Sequence, residues 1–143
     1  MQQQNIPRET VREWLRQEKA NLLIEANQVC NAFMAAQRSA RRDPNKTQHP
    51  YIGSRVRLVR SSISCECFRY VPKTTSKGEK ILTSTYIKIN RATQACNMRH
   101  FRNEPAWAQQ LILMSDTQYQ KIRMRFQTLN NIERLLKKLS TDI

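Results

Sequence analysis

The residues best equipped for chemistry in this chain are cations. Arg55, Arg57, Arg60, Arg69, Lys73, Lys77, Lys80, Lys88 and Arg91 follow one another closely, with Phe68, Tyr70 and Tyr86 among them. Lys and Arg at strand spacing can meet successive phosphates of a nucleic acid and release its condensed counterions. Arg can also take both acceptors of a guanine edge, and the aromatic rings can stack on unpaired bases. Residues 50–103 hold 11 Lys and Arg against two Asp and Glu, a net of +9. The flanks carry far less, +3 over residues 1–49 and +2 over residues 104–143. The whole chain of 143 residues stands at +14. Such an excess opposes compaction by self-repulsion and implies a polyanionic partner.

Other chemistries find less support. Cys65 and Cys67 have C-x-C spacing, and Cys96 with His100 has C-x3-H spacing. The four could ligate zinc, but strand residues two apart share a face, where small thiols also pack as core. Cys30 falls in a helical stripe. His49 and His100 are the only histidines, and no acidic residues pair in the middle segment to hold Mg2+. Tyr119 fits a helix stripe better than the role of a nucleophile. With Gly53 and Gly78 alone, no glycine-rich loop can cradle a phosphate. These features predict a protein that is not an enzyme and needs no cofactor. Neither a secretory signal nor an apolar run of about 20 residues is visible, so a cytoplasmic, membrane-free protein with reduced thiols is expected.

The elements that must position the cations follow from periodicity. Residues 7–41 predict one long helix, with Pro7 in its first turn and Thr10 to Glu13 at capping-box spacing. Val11, Trp14, Leu15, Leu22, Ala26, Val29, Phe33 and Ala36 form its apolar stripe. Asp43-Pro44 stops it. A polar linker, 42–53, leads to a three-stranded meander over 54–90, with a turn at Ser61-Ser62 and a loop holding Gly78. Alternation puts Val56, Leu58, Cys65, Ile87 and Ile89 inward, and Arg55, Arg57, Tyr70, Tyr86 and Lys88 outward. Residues 90–102 have no clear period. A short helix, 103–112, precedes a final helix, 116–139, opened by a second capping box at Ser115 to Gln118. Its stripe runs through Tyr119, Ile122, Phe126, Leu129, Ile132, Leu136 and Leu139, with Lys121, Arg123, Arg125 and Lys137 off it. Trp14 and Trp107 match core positions. The expected fold is a single α+β domain over 1–143, its long terminal helices packed together with a central three-stranded antiparallel sheet.

This order of features resembles the MobI mobilisation proteins of conjugative plasmids and integrative conjugative elements. The likeness runs from about Ile24 to Leu139. It rests on Glu25-Ala26-Asn27, Gly53-Ser54-Arg55-Val56-Arg57, Cys67-Phe68-Arg69-Tyr70, Tyr86-Ile87-Lys88-Ile89, the segment with Phe101 and Trp107, and the closing helix Tyr119 to Lys138. The resemblance implies an auxiliary factor at the origin of transfer that helps a relaxase recognise or open the nicking region. It also implies Arg55, Arg57, Arg69 and Lys88 as DNA contacts. Charge alone leaves three alternatives: a β-ribbon transcriptional regulator, an RNA-binding accessory protein, or a protein-binding inhibitor of host defence. It sets no oligomeric state. If the outward strand face is the contact, Arg55→Ala with Arg57→Ala weakens DNA binding. The log–log salt slope of affinity then flattens by about one unit per lost phosphate contact, read from titrations at several ionic strengths.

Overall fold

A computed structural model describes residues 7–43, 52–85, 87 and 89–141. The first helix, α1, spans Arg8–Arg42. It starts directly after Pro7, and no side chain caps it. Thr10 and Glu13 therefore lie inside the helix and form no capping box. Leu15, Leu22, Ala26, Val29, Phe33, Gln37 and Ala40 are buried, a stripe at helical spacing. Asp43 leaves the helix in an extended conformation (φ −77, ψ 115), which suits a residue before proline.

Three antiparallel strands follow in the order β1 (Ile52–Val59), β2 (Ser62–Thr74) and β3 (Lys80–Thr85). β1 begins at Ile52, inside the expected linker, because Ile52 is fully buried and its carbonyl accepts a hydrogen bond from Gln37 of α1. Val59 pairs with Ser62, so the first turn is Arg60-Ser61 and not Ser61-Ser62. In that register Ser54, Val56, Cys65 and Cys67 face the helices, and Arg55, Arg57, Glu66 and Phe68 face away. Gly53 lies opposite Phe68, whose ring crosses it so closely that a Cβ there would come within 2.7 Å of the ring. Leu58 was expected in the core, yet it is 56% exposed at the hairpin end; Val56 is half-buried. Cys65 and Ile87 are buried as expected.

Residues 90–102, which have no period, are built from turns. Ile89 bridges to Cys96, and the Asn90 side chain accepts from the amides of Ala92 and Thr93. A 3-10 turn at Met98–Phe101 buries Phe101. The two expected C-terminal helices are one, α2, over Ala106–Thr141. Ala108, Ile112, Ser115, Tyr119, Ile122, Phe126 and Leu129 make a continuous buried stripe across the expected break. Thr117 makes the bond of a mid-helix threonine, to the carbonyl of Leu113. The terminal helices pack together as expected, and Lys19 of α1 joins Glu133 of α2 at 2.5 Å. Because α1's early residues meet α2's late ones, the helices run antiparallel. Trp14 was expected in the core, but it is 48% exposed. It precedes Leu15, about 100° round the helix, and lies at the edge of the stripe that Leu15 centres. Trp107 is half-buried against the core. Leu139, at the end of the expected stripe, is also exposed.

The fold is locked by an ion pair that periodicity did not show. Asp116 and Arg123, two turns apart on α2, are both buried and meet at 2.8 Å. The Arg123 guanidinium also donates twice to the carbonyl of Cys65 (2.6 and 3.1 Å) and once to that of Gln94 (2.7 Å). The second Asp116 oxygen accepts from the amide of Cys96 (2.8 Å). One pair thus joins α2, β2 and the turns after β3. Removing one partner from a buried pair strands the other charge and typically costs about 3–5 kcal/mol. Asp116→Ala should lose that much stability in urea unfolding, whereas Trp14→Ala, at a half-exposed position, should lose clearly less than the roughly 3–5 kcal/mol of a core tryptophan.

Candidate nucleic-acid interface

The cations expected to act together are divided by the fold. Arg55 and Arg57 share the outer face of β1, and both reach Glu66 of β2, at 2.5 and 3.4 Å. Glu66 is buried there, and a buried carboxylate needs such counterions. The Arg55 guanidinium also lies 5.1 Å from the Phe68 ring centre, and Phe68 meets Tyr70 edge to face at 4.9 Å. Arg55 is therefore held by the body of the protein on two sides, while Arg57 is exposed and more weakly engaged. Arg69 points to the opposite face. It pairs with Glu104 at 3.0 Å and donates to the carbonyl of His100 at 3.2 Å, fastening β2 to the start of α2.

The other candidates lie toward the ends of the sheet. Arg60 is exposed in the β1–β2 turn with φ 58, a left-handed conformation that favours glycine. In a two-residue hairpin loop a positive φ at the first position alone is the II′ arrangement, where Gly is usual. At the other end Lys73, Lys77 and Lys80 are exposed on and around the β2–β3 hairpin. The register puts Lys80 on the same face as Arg55 and Arg57, and Lys73 on the face of Arg69. Arg91 is exposed in the turn after Ile89. Tyr86 and Lys88 lie outside the described residues, as does His49. Sequence reasoning passed over Arg99 and Arg102, both exposed beside the 3-10 turn, close in sequence to the groups that hold Arg69. Their only signal was membership of the +9 segment. β2 has 13 residues and so runs about 40 Å. The cations in the turns at its two ends are thus about 40 Å or more apart, somewhat over one turn of duplex, 34–36 Å.

The cysteines do different work. Cys65 and Cys67 are buried under the helices, Cys96 is half-buried, and His100 is exposed. Among the described residues no group of three or more His, Cys, Asp or Glu is placed to hold a metal, so Cys65, Cys67, Cys96 and His100 do not assemble as zinc ligands. Burial, with Asp116 nearby, raises the thiol of Cys65 to about 11 and that of Cys96 to about 12, and that of Cys67 further still. Tyr119 is fully buried, its hydroxyl hydrogen-bonded to Ser54, and burial keeps the phenol protonated. No described helix is long and apolar enough to cross a membrane.

These thiols make stability depend on pH. The unfolded chain releases their protons near 9, whereas the fold holds them to about 11 and 12. Where the folded state binds more protons than the unfolded state, stability falls as pH rises. Their contribution is complete below pH 9 and is lost through pH 9–12. Urea midpoints should fall over that window, and less steeply in Cys65→Ala.

Residues 22–137, most of the chain, match the family described as MobI protein. No curated protein and no solved structure matches it.

Proposed function

The chain belongs to the MobI family and is therefore a conjugative mobilisation protein; from that premise we propose that it is a non-enzymatic DNA-binding factor acting with a relaxase at the origin of transfer. The observation that carries the proposal is the distribution of exposed cations. The segment with a net charge of +9 forms the sheet and its turns. Arg57, Arg60, Lys73, Lys77, Lys80, Arg91, Arg99 and Arg102 stand exposed there. Two of these groups, at opposite ends of β2, are far enough apart to meet phosphates somewhat over one helical turn apart on the same duplex.

Arg60 adds weight. A residue other than glycine at φ 58 stores backbone strain, of order 1–3 kcal/mol. The hairpin tip thus presents an exposed guanidinium where glycine would suit the backbone better. Arg55 and Arg69 belong instead to the frame, because Glu66 and Glu104 hold them. Binding then depends on backbone phosphates, and its site preference comes from how the sheet ends fit the groove and from the relaxase beside it. The protein supplies position and charge, and the relaxase supplies the nicking chemistry, inside the cytoplasm where the DNA lies.

The test is fluorescence anisotropy with labelled duplex from the noncoding DNA beside the transfer genes, titrated across salt. Unlabelled single-stranded DNA and RNA serve as competitors. Arg60→Ala with Lys77→Ala and Lys80→Ala should flatten the log–log salt slope by about 0.9 per lost phosphate contact, whereas Arg69→Ala should act on thermal stability first. No duplex binding near 150 mM salt, or a triple variant with an unchanged slope, overturns the assignment. Preferential competition by RNA would move the protein to the RNA-binding alternative.

A further inference from the structure

The β2–β3 hairpin has a composition that phosphate binding does not explain. Its residues run Val71 to Thr74, a turn through Gly78, and Lys80 to Thr85. Val71, Pro72, Ile81 and Leu82 are exposed in it, Val71 at 42%, Ile81 at 42% and Leu82 at 53%. Apolar groups on both faces of a two-stranded ribbon have no core to face. Strands left this way are an aggregation hazard unless something covers them or charges guard them. Here Lys73, Lys77 and Lys80 stand around them, with Glu79 the single acid, so the occupant that charge favours is a polyanion.

The side chains decide how such a ribbon would use DNA. From Val71 to Thr85 there is no Arg, Asn or Gln, the planar side chains that read base edges with a fixed fork, although Lys can also reach a guanine edge. The ribbon offers Pro, Leu, Ile and Val with Lys and Thr instead. Pro, Leu and Ile are among the groups that proteins push between base steps from the minor groove, partly unstacking them and kinking the duplex. Pro72 and Leu82 are register partners and therefore form one apolar pair across the ribbon, on the same face as Lys80. The Thr83 hydroxyl donates to the carbonyl of Val71, which occupies one polar group of the ribbon internally.

A wedge must be braced where it leaves the body. Arg69, the last residue before Tyr70, is tied to Glu104 and to His100. On the other face Tyr70 packs its ring against Phe68, which in turn lies over Gly53 and under Arg55. The root of the hairpin is therefore gripped from both faces, and the exposed apolar pair comes two residues beyond Tyr70.

We propose that the β2–β3 hairpin is a DNA wedge. Pro72 and Leu82 enter the minor groove and unstack a base step, while Lys80 on the same face and Lys77 in the turn hold the neighbouring phosphates. This rests on the DNA-binding reading above and adds a task to it, local opening of the duplex. Flexible pyrimidine–purine steps such as TA unstack most readily and are the preferred point of entry.

The test uses a duplex of about 30 bp with a central TA step whose adenine is replaced by 2-aminopurine. Protein is added to saturation, judged by anisotropy of an end label. Unstacking should raise the 2-aminopurine emission severalfold with the wild-type protein. Leu82→Ser with Pro72→Ala should abolish the rise at saturation, and Leu82→Met, which keeps an apolar wedge, should retain it. Leu82 is exposed, so circular dichroism of each variant should match that of the wild type. Binding to saturation with no rise, or a rise that survives in the Ser variant, overturns the wedge and leaves DNA binding standing. Failure of the wild-type protein to bind any duplex overturns the DNA-binding reading itself.

Discussion

The molecule depends on the pairing of Asp116 with Arg123 inside the core. Neither charge is tolerable there alone, since desolvating an ion costs several kcal/mol that only a partner with well-formed hydrogen bonds offsets. The guanidinium meets that condition by spreading its donors over Asp116, Cys65 and Gln94, and the carboxylate by taking the amide of Cys96 as well. Three pieces of chain with little regular structure in common are thereby fixed to one another. Hydrophobic contact is non-directional and would hold the turns of residues 90–98 near α2 in many ways. The pair selects one. From that placement follow the position of the 3-10 turn, the grip of His100 and Glu104 on Arg69, and hence the direction in which the β2–β3 hairpin leaves the body.

The same logic sorts the positive charge. In a chain of net charge +14 with so few acids, Glu66 and Glu104 decide which cations stay close to the sheet. Glu66 draws Arg55 and Arg57 down onto the outer face of the sheet, and Glu104 draws Arg69 onto the other. Apart from Arg57, what remains exposed is displaced to the margins: the Arg60 turn, the Lys73 to Lys80 hairpin, and the turns with Arg91, Arg99 and Arg102. The centre of the sheet is a braced, partly neutralised plate. Its ends carry the unspent charge.

Much of this was legible in the residues. The long helical stripes, the period-2 strands and the Asp43-Pro44 stop are local signals, and they predicted two terminal helices on a three-stranded meander. The errors have a common cause. Ser115 to Gln118 has the chemistry of a helix start, but Asp116 is spent on a tertiary partner, so the helix runs on. Arg123 sits off the apolar stripe by type, although not by position, because periodicity counts a cation as surface. Trp14 and Leu58 are apolar and correctly spaced, yet they lie where no second layer covers them, and only tertiary structure decides that. For the interface, alternation placed Arg55 and Arg57 on one face correctly. It could not show that a buried glutamate across the strand would claim both, nor that exposed apolar residues would collect on a projecting hairpin.

The pairing of α1 with α2 has a consequence for how the protein is made. The first helix leaves the ribosome with its apolar stripe complete by Arg42, but its partner is finished only at Thr141, 99 residues later. At typical elongation rates of about 5–20 residues per second, the uncovered face persists for roughly 5–20 s. During that interval the early part of the stripe, around Leu15, waits longest, because its partners Glu133 and Leu136 emerge last, whereas the end of α1 meets β1 sooner through Gln37 and Ile52. Such a chain is a natural client for chaperones that bind emerging hydrophobic segments, and overproduction without them favours inclusion bodies over soluble protein.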